Sequence, residues 1–491
     1  MKLNYKITGM ALGMILLISG CSKNFLEVPL QGQQPSTQFW VSEDDATKAV
    51  NAIYANLRSW TEVAFAPIAI ESLGSDDTET GSDPSDGSVP FMNSYNNFTV
   101  TSTQGQLSDF WNGRYQTINL CNQVLDNIPA IKMDGNIKAR YLLEAKFVRA
   151  YAYFRLVRAF GSVPLRLHIP ANASEYNFPQ NSKAEVWAAI EQDLTDAAAG
   201  LPVSYSGIDI GRATRGAALS LHAKVAMYQS KWDEVKTYTD QAIGLGIYAL
   251  FPDYEKLFRV PNENNSESVF EIQADLIAGN SDASNSQYSQ VQGVRSVTGG
   301  GWGFNVPTEN LSGAYEAGDP RRDATIIFRG ETTPEGDAIP NSVPNPMYNQ
   351  KSYVPFGMYV SGYNEGCQQN IRVIRYADVL LMNAEANNEL GNTPDALAAL
   401  EKVRERARGG DDTLLPEVTT TDKAALRNAI WHERRVEFAM EFDRYFDVIR
   451  QGRGAEVFGS LGWKAGKNEV WPIPQGEIDL SAGVLIQNPG Y

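Results

Sequence analysis

The fold is decided by one stretch, which begins Tyr376-Ala377-Asp378-Val379-Leu380-Leu381-Met382-Asn383-Ala384-Glu385-Ala386, reaches Leu390-Gly391-Asn392, and continues from Pro394-Asp395-Ala396 to Arg406-Ala407. Apolar residues recur at helical spacing on both sides of Gly391. Glycine and proline are the usual residues at the end of one helix and the start of the next. The stretch therefore predicts a helix, a short turn and a second helix.

A second stretch repeats this arrangement, with Ala217-Ala218-Leu219 and Ala223–Tyr228 followed by Trp232–Val235 and Ala242. Small residues at the positions where paired helices approach are typical of tetratricopeptide-type units. Helical spacing is found at about 42–60, 104–128, 138–160, 182–199, 212–229, 231–245, 371–391, 394–408 and 423–451. The helical repeats thus fall into three blocks, 42–60, 104–245 and 371–451.

Two long segments, 72–103 and 250–365, have no helical period. Pro84 and Pro90 are expected to break any helix in the first, and Ser268–Ile272 predicts a short strand in the second. Loops of this length in compact proteins are often functional. We therefore expect a mainly α-helical single domain of about four helix pairs, with these two segments as functional insertions.

The N-terminus has the form of a lipoprotein export signal. Lys2 and Lys6 precede an apolar run that ends Ile18-Ser19-Gly20-Cys21, which closely matches a lipobox. We expect residues 1–20 to be a signal peptide, Cys21 to carry lipid, residues 21–41 to be a tether and residues 42–491 to be the domain. The alternative is a plain signal peptide with a chance cysteine.

Composition excludes some classes of partner. The chain has 42 basic and 58 acidic residues and a formal charge of −16, which becomes −18 once Lys2 and Lys6 leave with the signal. Such a surface repels nucleic acid and anionic lipid. Only three cysteines and three scattered histidines are present, so a metal site of these residues is not expected. Cys121 lies in a helical stretch and is expected to be a buried thiol.

Several segments in order resemble the SusD/RagB family. They are Cys21–Glu27 with Pro29, Trp111–Tyr115 with Ile118-Asn119 and Cys121-Asn122, Glu144–Tyr151 with Phe160–Pro164, Tyr376–Ala386 with Val403–Ala407, Glu433–Phe438 with Glu441, Arg444, Asp447 and Arg450, and Gln487–Tyr491. The resemblance implies a SusD-like domain anchored by lipid at the outer membrane and facing outward. It implies that the protein captures an oligosaccharide and passes it to a TonB-dependent, SusC-like transporter, whose barrel the repeat face would cover like a lid.

Two other functions remain open at this point. A binding protein of RagB type would take peptides or glycopeptides with the same transporter partner, and a structural helical adaptor would have no ligand pocket. Catalysis is not expected, because no pair of carboxylates is singled out and no nucleophile elbow, HExxH or P-loop motif occurs. No cofactor is expected.

Candidate binding residues come from the aromatic and polar parts of the two insertions. Sugars present apolar C–H faces and polar edges, so a sugar site needs flat rings beside polar groups. Trp302 is the first choice because glycines lie on both sides of it. The further candidates are Phe304, Tyr288, Asp76, Asp77, Tyr95, Phe98, Tyr359 and Tyr363.

Acidic residues in two regions suggest different roles. Asp76, Asp77, Glu79, Asp83 and Asp86 could gather a structural calcium ion, but their spacing does not fit an EF-hand, and a solvated loop is favoured. Helical spacing among Glu433, Arg434, Glu437, Glu441 and Arg444 instead predicts ion pairs within the scaffold. The same holds for Glu385, Arg404 and Arg406.

Overall fold

The computed structural model describes residues 39–172, 175–276, 286–358 and 367–491. Helices are the main regular structure in this part of the chain. The helices are α1 Glu43–Asn56, α2 Trp60–Val63, α3 Phe65–Pro67, α4 Val89–Asn96, α5 Gly105–Asn127, α6 Gly135–Phe160, α7 Lys183–Gly200, α8 Arg215–Met227, α9 Trp232–Gly244, α10 Tyr288–Gln292, α11 Glu309–Ser312, α12 Arg321–Thr325, α13 Tyr376–Leu390, α14 Thr393–Arg408, α15 Lys423–Glu437, α16 Arg444–Arg450, α17 Gly454–Phe458 and α18 Gln475–Leu480.

Six short strands pair into three antiparallel two-stranded sheets, β1 with β3, β2 with β6 and β4 with β5. The strands are β1 Thr78–Gly81, β2 Ser268–Ile272, β3 Phe304–Pro307, β4 Ile326–Phe328, β5 Met347–Asn349 and β6 Ile371–Arg375. The strand predicted at 268–272 is confirmed. None of the helices in the described residues is long and apolar enough to cross a membrane.

The long helices pack on one another in succession. Helix α5 packs on α6, α6 on α7, α7 on α8 and α8 on α9, and α9 then packs on α13, which pairs with α14 and contacts α15. Alanines of α8 and α13 lie in the interfaces with no exposed surface. The prediction of a mainly helical, repeat-like single domain is confirmed.

Local sequence explains where several helices begin and end. Ser42 Oγ accepts the Asp45 N–H (3.2 Å), and the Asp45 carboxylate accepts the Ser42 N–H (3.0 Å), which forms a capping box at α1. Gly161 ends α6 with a φ of +73°, and Gly391 ends α13 with a φ of +84°. Both values lie in the left-handed region, which glycine adopts without steric strain.

The structure corrects two expectations about helix breaks. Pro90 does not exclude a helix from the first insertion, because it lies in the first turn of α4, where its missing N–H would have no partner in any case. The stretch 423–451 is not one helix, since it breaks between α15 and α16. Met440 and Phe442 in this break have φ values of +67° and +68°, which are strained for residues with a side chain.

The helices α14 and α15 enclose a set of buried ion pairs. Glu437 Oε1 lies 2.9 Å from Arg375 Nη1 and 2.5 Å from Arg406 Nη2, and its Oε2 lies 3.1 Å from Arg321 Nη1. Glu433 pairs with Arg321 and, at 2.9 Å, with Arg404. We call these six residues the ion-pair lattice. The scaffold role predicted for Glu433, Glu437, Arg404 and Arg406 agrees with this geometry.

The lattice holds Glu437 ionised. Burial alone would raise the pKa of its carboxyl group, but the positive charges of Arg406, Arg375 and Arg321 outweigh burial and lower the pKa to about 2. Breaking such a pair by removing one partner leaves buried charge uncompensated. The lattice therefore joins α12, β6, α14 and α15 into one rigid unit.

Candidate functional site

The two inserted segments meet in one small sheet. Strand β1 from the first pairs with β3 from the second, with Gly81 opposite Phe304. Just beyond this pair, Ser82 N–H donates to Gly303 O (2.5 Å). Trp302 is therefore carried on the loop that leads into β3, beside the turn that follows β1.

Backbone hydrogen bonds hold the loop that carries Trp302. Gly301, Trp302 and Gly303 each donate an N–H to a carbonyl of residues 290–294, and all three N···O distances are 2.8 Å. The backbones approach so closely that a Cβ on Gly301 would lie 2.2 Å from the Gln290 carbonyl oxygen. Only glycine fits there, so the glycines beside Trp302 allow the loop to fold tightly.

Trp302 lies in a cluster of three aromatic side chains near the surface. Its ring centroid is 5.9 Å from that of Trp60 and 5.9 Å from that of Phe65, with interplanar angles of 54° and 29°. Trp60 is 38% exposed, and Phe65 and Trp302 are half-buried. Phe304 is buried behind them with its ring at right angles to Phe65. We call Trp60, Phe65 and Trp302 the aromatic platform.

One polar cluster adjoins the platform at the Trp302 backbone. Arg295 Nη1 donates to Trp302 O (3.1 Å), Ser82 Oγ (2.9 Å) and Asp86 Oδ2 (3.2 Å). Burial raises the pKa of the Asp86 carboxyl, but hydrogen bonds from Ser88 and Ser82 and the charge of Arg295 outweigh it and lower the pKa. A charged pair thus lies next to the three rings.

Asp76 and Asp77, which were predicted to contact sugar hydroxyls, already have guanidinium partners. Asp76 Oδ1 lies 2.8 Å from Arg444 Nε, and Asp77 Oδ1 lies 2.6 Å from Arg435 Nη2. Burial by itself would raise the pKa of both carboxyl groups. Arg444 outweighs burial at Asp76, whose pKa is lowered, whereas burial prevails at Asp77, whose pKa is raised. Neither carboxylate is open to a ligand, so neither is retained in the site.

Four of the predicted aromatic residues lie in the core. Tyr95 has no exposed surface, and Phe98, Tyr288 and Phe304 are 5%, 7% and 1% exposed. Phe98 stacks on Trp471 with a centroid separation of 5.9 Å and an interplanar angle of 8°. A buried ring has no face on which a sugar can stack, so these four residues support the site from behind or lie outside it.

An open groove is found elsewhere, mainly on α5 and α6. It has a volume of about 560 Å³ and is lined by Leu125, Leu142, Leu143, Leu167, Asp126, Ala139, Lys146, Arg149 and His168. No Trp, Tyr or Phe lies in that lining. Because a sugar site needs exposed ring faces, we place the candidate site at the aromatic platform and not at this groove.

Two family models and a protein of known structure match this chain. A family model described as "SusD family" matches residues 266–491, and one described as "Starch-binding associating with outer membrane" matches residues 24–227. A laminarin-binding SusD-like protein of known structure is 31% identical, with a TM-score of 0.79, and the match covers 92% of this chain and 100% of that one. The chain belongs to the SusD family.

Other SusD-like proteins match along nearly the whole chain. SusD-like protein P2 of Formosa agariphila is 28% identical over 99% of both chains. Surface glycan-binding protein A of Bacteroides thetaiotaomicron, solved in complex with laminarihexaose, has a TM-score of 0.77 at 23% identity, covering 91% of this chain and 100% of that one, and shares the fold. This SusD family member therefore has the SusD-like fold, and one of its family models describes association with the outer membrane.

Some predictions for this SusD family member stay untested. Cys21, Tyr359 and Tyr363 lie outside the described residues. Within the described ranges, no group of three His, Cys, Asp or Glu side chains is placed to hold a metal ion. Cys121 and Cys367 are buried, unpaired thiols, and burial raises the pKa of both.

Sequence reasoning missed Trp60 and Phe65. Trp60 follows Leu57 at helical spacing and lies at the end of the predicted helical stretch 42–60. In the structure α1 ends at Asn56, and Trp60 begins a separate short helix. The polar pair Arg58-Ser59 between Leu57 and Trp60 is the one local signal that this helix stops early.

Proposed function

We propose that this SusD family member binds an oligosaccharide on its aromatic platform at the cell surface and delivers it to a TonB-dependent, SusC-like transporter. The observation that carries the proposal is the partly exposed group of Trp60, Phe65 and Trp302, in which the short helices α2 and α3 meet the loop before β3. Lipid at Cys21 would tether the protein to the outer membrane. In this proposal the repeat face covers the transporter barrel, and the ligand is enclosed between the two proteins before import.

The chemistry of the platform suits a neutral sugar. Indole and phenyl faces bury the C–H surface of a pyranose ring, and the hydrophobic gain follows the apolar area that both lose to water. The formal charge of −16 disfavours anionic ligands. The similar protein with 31% identity is described as laminarin-binding, so oligosaccharides derived from laminarin are the first ligands to test.

The proposal is one of binding without catalysis. Glycosidases of the common type place two carboxyl groups about 5 to 9 Å apart across the scissile bond. Asp86, the carboxylate described beside the platform, is engaged by Arg295, and Asp76 and Asp77 are paired with Arg444 and Arg435. These contacts support a receptor that does not cleave its ligand.

Calorimetric titration tests the proposal. The chain carrying Cys21→Ala is titrated with a laminarin-derived hexaose, alone and with Trp302→Ala added. We expect Trp302→Ala to weaken binding by at least about thirtyfold, or about 2 kcal/mol, with little change in the melting temperature. Tyr176→Ala is the matched control, because Tyr176 is 58% exposed but is not part of the platform.

Two results would overturn this proposal. One is a panel of neutral oligosaccharides that all fail to bind the Cys21→Ala chain. The other is a large fall in melting temperature for Trp302→Ala, which would make its indole a core residue. For the anchor, Cys21→Ala is expected to release a soluble, folded protein, and continued membrane association of this variant would contradict lipid tethering.

Peptide or glycopeptide binding is the second candidate. In the described residues, strand β2 pairs with β6 along one edge, and its other edge pairs with no strand. A groove of about 160 Å³ is lined by Ser268–Glu271 of β2 and by no residue of β6. An open strand edge can pair with an extended peptide. A peptide library that binds while all oligosaccharides fail would favour this function.

A further inference from the structure

We propose that Arg295 is a positioning residue for the aromatic platform, and that it sets oligosaccharide affinity by fixing Trp302 against the turn that follows β1. This inference rests on the proposed function, since it concerns the same site. It differs in assigning a role to a side chain that stacks on no ligand. The role follows from three hydrogen bonds that converge on one nitrogen.

Arg295 links the two inserted segments. Its Nη1 donates to Ser82 Oγ (2.9 Å) and Asp86 Oδ2 (3.2 Å) on the first segment and to Trp302 O (3.1 Å) on the second. Asp86 is held in turn, because its Oδ1 accepts the Ser88 N–H (2.9 Å). The guanidinium therefore fixes the Trp302 carbonyl to a turn that is itself ordered.

The loop needs such a tie because glycine supplies most of its backbone. Gly299, Gly300, Gly301 and Gly303 surround Trp302, and glycine has the greatest backbone freedom of any residue. The Trp302 N–H already donates to Gln290 O (2.8 Å). Arg295 binds the carbonyl on the other side of the indole, so both peptide groups of Trp302 are restrained.

The stem of Arg295 adds a steric restraint. Gly303 has a φ of +73°, and a Cβ there would lie 2.8 Å from Arg295 Cβ, so the arginine stem packs on the Gly303 backbone. Ser82 on the facing turn has a φ of +63°, and its carbonyl accepts from Asn345 Nδ2 (2.8 Å). The stem and head group of Arg295 thus fix a junction at which three segments of chain meet.

Arg295 is suited to control affinity more than stability. The side chains of Arg295 and Asp86 are 29% and 20% exposed, and ion pairs open to water add little to global stability. Fixing a binding side chain in advance removes an entropic cost from ligand binding. Losing Arg295 should therefore leave the fold intact and weaken binding by roughly fivefold to tenfold.

The experiment uses the Cys21→Ala chain labelled with 5-fluorotryptophan, with the Trp302 fluorine resonance assigned through Trp302→Phe. Arg295→Gln is expected to shift or broaden that resonance without ligand, to weaken hexaose binding, and to leave the melting temperature nearly unchanged. Arg295→Lys should restore most of the affinity, because a single ammonium nitrogen can donate to the same three acceptors. The matched control is Arg453→Gln, since Arg453 pairs with Glu456 (2.7 Å) and is also 29% exposed.

A double variant separates positioning from direct contact. If Arg295 acts through Trp302, adding Arg295→Gln to Trp302→Ala should cause no further loss of hexaose affinity. Additive losses of affinity would mean that the guanidinium group contacts the sugar, and this result would overturn the inference. An unchanged Trp302 resonance in Arg295→Gln would also overturn it. Because the resonance is measured without ligand, this arm decides the inference even if the chain binds no oligosaccharide, which would refute the proposed function alone.

Discussion

The ion-pair lattice is buried within the scaffold, whereas the aromatic platform lies near the surface, on the short helices α2 and α3 and on the glycine-rich loop before β3. In the lattice, side chains hold side chains, and Glu437 has three arginine partners. At the platform, backbone hydrogen bonds and one partly exposed arginine hold the backbone of Trp302. The difference separates contacts that stabilise the fold from the site at which we propose that the ligand binds.

The largest effect is expected from breaking the lattice. Glu437→Ala removes one carboxylate partner from each of the buried residues Arg375, Arg406 and Arg321, and should lower the free energy of unfolding by roughly 3 to 5 kcal/mol. Thermal and denaturant unfolding measure this. Glu456→Ala, which removes the exposed partner of Arg453, should change stability by less than about 0.5 kcal/mol. Equal losses in the two variants would show that the lattice has no special role.

Acid should weaken the lattice in a defined pH range. The pKa of Glu437 is about 2 in the folded protein, below its usual value of 4.5. Its contribution to stability is therefore fully present above about pH 4.5 and is lost as the pH falls towards 2. Unfolding measured from pH 6 to pH 2 should show a falling stability whose slope is smaller in Glu437→Gln. An identical slope in the two proteins would contradict the assigned ionisation.

At the platform, by contrast, we expect a loss of ligand affinity with little loss of stability. Trp60→Ala should weaken hexaose binding by about tenfold, because one of the three rings is lost, with little change in melting temperature. Calorimetric titration and thermal unfolding of the same samples give both values. If Trp60→Ala instead destabilised the fold as strongly as Glu437→Ala, the two regions would not differ in the way described.

The helices could be predicted because their signals are local. Gly391 marks the end of α13 and the start of α14 to within about two residues, but the predicted helical stretch 371–391 begins too early, because residues 371–375 form β6. The spacing of Glu433 and Glu437 likewise predicts ion pairs. Their partners Arg321 and Arg375 lie over sixty residues away. No local pattern could have named them.

The site could be predicted only in part, because several of its contacts join segments that are far apart in the chain. Trp302 was identified by its glycine neighbours, which are adjacent in sequence. Tyr95 and Phe98 lie in a polar segment that resembles a solvated loop, but Trp471 from the C-terminal region covers both. Asp76 and Asp77 look like free acids until Arg444 and Arg435 reach them.

The sequence by itself determined the helices, the family and the presence of a tryptophan on a glycine loop, because these depend on residues within a few positions of one another. Only the tertiary structure decided which aromatic rings are exposed and which acids are already paired. Exposure and pairing depend on contacts between segments far apart in the chain, such as Trp60 with Trp302. Packing of the whole core fixes those contacts, and no local preference encodes them.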